Sequence, residues 1–174
     1  IGDLPAEVDG EQGFVEFVDA ADFEAVTNLT VRTGDLAGMG ENDLAISAGH
    51  AEERGLSVGD TLPARFPGGT TMELTVRAIY EDSPLLGTTL IDTATARAND
   101  PAAAPSALLL KAKPGVGTDQ LDDAVQDAAA DWPGVSVQTR AEFAETQGRQ
   151  VDQILALVYG LLALSVIIAL FGIA

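Results

Sequence analysis

The chain has no cysteine, which removes three chemistries at once: a disulfide scaffold, a thiolate metal site and a cysteine nucleophile. Histidine is nearly absent as well. His50 stands alone, between Gly49 and Ala51 with Glu52 and Glu53 close by. One imidazole without a thiolate cannot furnish a zinc site, and no serine has both an elbow motif and a histidine base within reach. Basic residues are scarce too, with nine Lys and Arg against 27 Asp and Glu, a net charge of −18. Phosphate backbones and anionic head groups are repelled by such a field, so nucleic acid is not an expected partner. The acidic excess keeps a surface solvated, and it also fits a salt-adapted organism.

Two sequence patterns for phosphate and calcium are missing. No GxxxxGK[ST] loop occurs, so no nucleotide hydrolysis is expected of this chain itself. Asp119, Asp122, Asp123, Asp127 and Asp131 cluster on one helix side without EF-hand spacing, and the first three suit the positive end of a helix dipole. No catalytic residue, cofactor or metal is therefore expected.

What is present is a long run without charge, Ile154 to Ala174, of 21 residues. As a helix it extends about 31 Å, matching a hydrocarbon core of about 30 Å. Its polar atoms are the hydroxyls of Tyr159 and Ser165, too few for the polar stripe of a soluble core helix. The run is expected to cross a membrane. Ala156 with Gly160, and Ser165 with Ala169, have the small-xxx-small spacing that allows close helix packing. The beginning at Ile1 and the ending within the apolar run read as a piece of a longer polypeptide.

Ahead of the run, about 150 residues suffice for one domain with two lobes. The expected strands are Gly13–Asp19, Leu29–Arg32, Asn42–Ile46, Thr61–Phe66, Thr71–Tyr80 and Thr88–Asp92, with a helical segment over Ala20–Asn28. Ser47 reads as an N-cap and Gly55 as the stop of a two-turn helix. Pro67-Gly68-Gly69 turns a hairpin whose second arm places Met72, Leu74, Val76, Ala78 and Tyr80 on one face, predicting a sheet with one wet side.

Ala94–Ala104, a short helix and linker, is the expected internal boundary. A β-α-β element follows: strand Ser106–Lys113, helix Asp119–Trp132 and strand Gly134–Gln138, with Leu121, Val125, Ala128 and Trp132 as the helix stripe that packs on the sheet. Thr139-Arg140-Ala141-Glu142 has capping-box spacing and predicts a new helix start. Continued through the apolar run, this helix would be about 50 Å long, with residues 140–153 as a stalk. Gly148 is a bend point, and a proline at Val151 would break the rod.

With Asp43-Leu44-Ala45-Ile46-Ser47, Ala51-Glu52-Glu53-Arg54-Gly55-Leu56 and Val58-Gly59-Asp60-Thr61-Leu62 in order, the chain resembles the MacB/FtsX-like ABC transporter permeases. Val76-Arg77-Ala78-Ile79-Tyr80, Leu108–Lys113 with Gly115, and Phe143 through Ala174 fit the later parts of the same pattern. The resemblance implies an α+β fold: a two-lobed extracytoplasmic domain over 1–139, with a β-rich outer lobe at about 14–98 and a β-α-β lobe at about 106–139. A stalk (140–153) and the first helix of a membrane core (154–174) follow.

The same resemblance implies a mechanical role. Thr139, Glu142, Gly148 and Val151 would couple ATP hydrolysis in a separate subunit to movement of the outer domain, and Ala156, Gly160, Ser165 and Ala169 would pack the membrane helix. Implied partners are an ABC ATP-binding subunit, membrane lipid, and a second permease copy or homologous half. The implied location is the cell membrane, with 1–139 outside the cytoplasm. Two other readings remain open: a binding module on a single-pass anchor, and a membrane-tethered enzyme.

Overall fold

The computed structural model describes residues 1–83, 86–139, 142–143, 158–159, 161–162 and 165. It divides into two compact units, Ile1–Lys111 and Ala112–Ala174. The first contains seven strands and three helices: β1 (Gly2–Val8), β2 (Glu11–Val18), α1 (Ala20–Val26), β3 (Val31–Gly34), β4 (Asp43–Ser47), α2 (Ala48–Arg54), β5 (Thr61–Arg65), β6 (Thr71–Tyr80), β7 (Thr89–Asp92) and α3 (Thr93–Asn99).

The strands run in the order β3-β6-β4-β7-β2-β1-β5, and β5 returns to pair with β6. Six strands therefore close into a barrel. β3 lies beyond β5 on the same edge of β6, because β5 pairs with Thr71–Thr75 while β3 pairs with Ala78–Tyr80. Two pairings are parallel, β2 with β7 and β4 with β6. Closure pairs the edges of these six strands, which would otherwise template association, and leaves β3 as an edge strand.

Inside the barrel every wall strand contributes: Leu4, Val15, Phe17, Leu44, Ile46, Leu62, Ala64, Leu74, Val76 and Ile91 form one buried cluster, joined by Phe66, Ala51 of α2 and Ala96 of α3. Each fully buried large side chain here is worth roughly 1.5–3 kcal/mol relative to exposure. A second cluster lies on the outer wall. Val18, Ala45, Ala78, Tyr80 and Leu90 meet Ala20 and Phe23 of α1 and the loop residues Leu36 and Met39.

The two clusters correct the expectation of one wet sheet face. In β6, Leu74 and Val76 point inward, but Ala78 and Tyr80 belong to the outer cluster. The cause is a bulge at Arg77: Leu44 pairs with Val76 and the next β4 residue, Ala45, with Ala78. One extra residue reverses the alternation, so a stripe that looks continuous in sequence is shared between two cores.

The first strand escapes a reading based on acidity and proline. Asp9 (φ 49°) and Gly10 (φ 80°) form a two-residue turn with both central residues at positive φ, and Val8 faces Glu11 across it. This is the Asp-Gly hairpin turn whose twist suits antiparallel strands. Leu4, on the inward side, is 1% exposed.

The internal boundary also moves. α3 lies within the first unit, since Ala96 is fully buried and the Thr95 hydroxyl donates to the Glu41 carbonyl at 2.8 Å. Ser106–Lys113 is not a strand. The amides of Ser106 and Ala107 both donate to the Ile1 carbonyl, at 2.9 and 3.0 Å, but no ladder follows, and Leu108 is 78% exposed.

In the second unit the described helix is α4 (Thr118–Ala129). Gly134–Gln138 is likewise not a strand, so the expected β-α-β lobe is represented by its helix alone. None of α4 is buried, and Trp132 is 69% exposed. The apolar spacing of Leu121, Val125, Ala128 and Trp132 predicts the helix, which ends at Ala129, but among the described residues of this unit there is no strand. Among the described residues no helix is long and apolar enough to cross a membrane; most of 154–174 lies outside them.

Candidate functional site

The segment Asp43–Leu62 folds as one unit. β4 delivers Ser47, whose hydroxyl accepts from the His50 amide at 3.3 Å and caps α2. Gly55 ends the helix in the left-handed conformation (φ 68°), as a C-terminal glycine does. The Leu56 amide reaches back to the Ala51 carbonyl at 2.9 Å. The turn that follows is closed by Asp60, whose carboxylate accepts from the Ser57 amide at 2.7 Å. Gly59 (φ 100°) then aligns its amide with the Val76 carbonyl at 2.8 Å, while the Val76 amide donates to the Asp60 carbonyl, also at 2.8 Å. Val-Gly-Asp is thus the chemistry of entry into β5: glycine for the backbone, aspartate to tie the turn.

Beside α2 is an open depression of about 320 Å³ lined by Arg32, Ala48, Glu52, Leu56, Ile79 and neighbouring backbone. Its floor is aliphatic and its rim is charged. The Arg32 guanidinium donates to Glu52 at 2.6 Å and to both Glu81 oxygens at 2.9 and 3.2 Å, tying β3 to α2 and to the end of β6. Arg54, the last residue of α2, pairs with Glu11 at 2.8 Å and with Asp9, holding the helix to the β1–β2 turn. These pairs are solvent-exposed, so their role is positional more than stabilising.

The residues after β6 are fastened as well. The Gly49 amide donates to both Asp82 oxygens at 3.2 Å. The Tyr80 hydroxyl donates to the Gly87 carbonyl at 2.6 Å, and the Gly87 amide donates to Glu16 at 2.8 Å. Burial pushes the Tyr80 phenol well above its usual range, with the charges of Glu16 and Asp82 adding to the effect.

Among the residues singled out by sequence, Thr139 and Glu142 are brought together. The Glu142 carboxylate accepts from the Thr139 amide at 2.7 Å and from its hydroxyl at 2.9 Å, while the Thr139 hydroxyl accepts from the Glu142 amide at 3.3 Å. The Phe143 amide donates to the Thr139 carbonyl at 3.0 Å, the first helical bond. This is a complete reciprocal capping box. The Thr139 amide, then its hydroxyl, hold the Glu142 carboxyl below its ordinary pKa. Ser165 is helical and exposed. Gly148, Val151, Ala156, Gly160 and Ala169 lie outside the described residues.

His50 is the third residue of α2's first turn and joins no metal-binding group; among the described residues no three His, Cys, Asp or Glu side chains converge for a metal. Asp122 of the acidic helix accepts from Gln126 at 2.8 Å and is exposed.

Sequence reasoning missed Asp92. One carboxylate caps two helices: Oδ1 accepts from Ala94 at the start of α3 at 2.7 Å, and Oδ2 from Ala20 at the start of α1 at 3.1 Å. Parallel pairing of β2 and β7, with Val18 opposite Asp92, sets the two helix starts side by side.

The fold defines a closed α+β barrel domain with a second helical unit. No protein-family model and no curated protein matches the chain. Among solved structures, the chain is similar to the crystal structure of a domain assigned to a permease protein from Porphyromonas gingivalis, with a TM-score of 0.47 and 15% sequence identity over 76% of this chain and 67% of that one.

Proposed function

We propose that this chain is the extracytoplasmic domain of a MacB/FtsX-like ABC transporter permease, joined to the first helix of its membrane core. The observation that carries the reading is the capping box of Thr139 and Glu142, which starts a helix directly upstream of the uncharged run 154–174. In this reading the helix begun there continues as a rod between domain and bilayer. The segment resembling the family, 43–62, supports it, because Ser47, Gly55, Gly59 and Asp60 each have a defined backbone duty.

In this reading the work is mechanical. ATP hydrolysis in a separate subunit closes the membrane core, and the stalk carries the displacement to the barrel as a rigid-body shift. Partners are the ATP-binding subunit, lipid, and a second permease copy or homologous half; the location is the cell membrane with 1–139 outside the cytoplasm.

Purification separates this from its rival. Full-length protein extracted from membranes in mild detergent is expected to bring an ATP-hydrolysing subunit with it in fixed stoichiometry. Extraction as a lone single-span protein would instead support an anchored binding module.

A further inference from the structure

Glu16 sits on the outer wall of the barrel, half-buried, in the C-terminal half of β2. Across the antiparallel pairing its direct partner on β1 is Asp3. Like charges placed opposite one another in a sheet are destabilising, so this position is poorly suited to a permanent carboxylate. On the β7 side its register partner is Leu90, which offers no charge. What holds the carboxylate is the backbone of Gly87, just before β7. The Gly87 amide donates to Glu16, and the Gly87 carbonyl accepts from the buried Tyr80 hydroxyl of β6. One peptide segment is thus gripped on both its polar groups by side chains from two different strands.

We propose that Glu16, Tyr80 and Gly87 form a proton-operated latch, which fixes the entry into β7 against β2 and β6 while the carboxylate is charged and slackens when it takes up a proton. A charged acceptor makes the stronger hydrogen bond, so protonation weakens the Gly87 contact while relieving repulsion from Asp3. The latch is strongest in the state that costs the barrel most.

The groups facing Glu16 set the direction of its titration. Burial raises its pKa first; the Gly87 amide opposes this, Asp3 raises it further, and the Ile1 ammonium lowers it. Tyr80, from β6, stays protonated throughout the acid range, and Asp82 lies beyond it. With the folded value above the unfolded one, the stability contribution is complete below the unfolded pKa and is lost as pH rises through the folded value. At neutral pH the charge on Glu16 therefore costs stability.

The inference is independent of the membrane reading. Its test is a pH titration of the isotope-labelled 174-residue chain in detergent micelles, following the Gly87 amide and the Glu16 carboxyl carbon by NMR. The two signals are expected to move together, with one inflection above the 4.5 of an ordinary glutamate. Asp3→Asn should lower that inflection, and Glu16→Gln should abolish the Gly87 response and raise the melting temperature at neutral pH. If Glu16→Gln fails to fold, Asp3→Asn alone decides. A Gly87 amide that ignores the Glu16 titration, or an inflection unmoved by Asp3→Asn, would overturn the latch.

Discussion

Gly34→Ala is expected to destabilise the barrel by about 2–6 kcal/mol. Two costs combine. Gly34 has φ 91°, a region that L side chains rarely adopt, and holding a non-glycine residue there costs about 1–3 kcal/mol. A Cβ at this position would also meet the Arg77 carbonyl oxygen at 2.2 Å and the Ala78 Cα at 2.8 Å. Both are backbone atoms of β6, at the bulge that divides its stripe between the two cores, and they cannot rotate away. Overpacking adds about 1–3 kcal/mol. Gly69 provides the control, with φ 81° and nothing within 4 Å of its would-be Cβ. Gly69→Ala should lose only the conformational part. Denaturant midpoints compared across the two variants check this, and equal losses would mean that close approach to β6 is unimportant.

Asp92→Ala ranks second, at about 2–3 kcal/mol. A lost N-cap costs typically about 1 kcal/mol and at most about 2, and here two helix starts lose their acceptor together. The two bonds use different oxygens, which makes Asp92→Asn informative: with a single acceptor oxygen it should lose about half as much. Asp19, the local N-cap residue of α1, makes no side-chain cap bond, so it does not compensate. If Asp92→Ala melted with the parent, the shared cap would be a contact with no energetic weight.

The residues that sequence made legible are those whose partners are close along the chain. Ser47 caps three residues ahead, Gly55 stops the helix it follows, Pro67-Gly68-Gly69 turns a hairpin between adjacent strands, and Thr139 meets Glu142 within one turn. Local chemistry settles each of these. The misses have distant causes. Asp92 caps α1 from 72 residues away, and nothing near Ala20 announces it. Parity in β6 breaks because β4 pairs with it through a bulge, which the alternation of β6 alone cannot show. The Asp9-Gly10 turn was in plain view, but the surrounding acids and Pro5 concealed the inward side chain Leu4. The β-α-β lobe is a different case: its helix formed where the periodicity placed it, but Ser106–Lys113 and Gly134–Gln138 enter no ladder. Of the proposed coupling residues the structure brings Thr139 and Glu142 together, and of the proposed packing residues it describes Ser165.

The central claim is that the helix begun at Thr139 leads into a bilayer, with the barrel on the outer side. These 174 residues contain no cysteine, so each thiol introduced into them is unique once any cysteine elsewhere in the full-length protein is replaced by serine. In intact cells expressing the full-length protein, a membrane-impermeant maleimide should label Ser57→Cys, on the exposed turn before β5, and should leave Ser165→Cys unlabelled. Labelling of Ser57→Cys only after the membrane is opened, or ready labelling of Ser165→Cys in intact cells, would contradict the account.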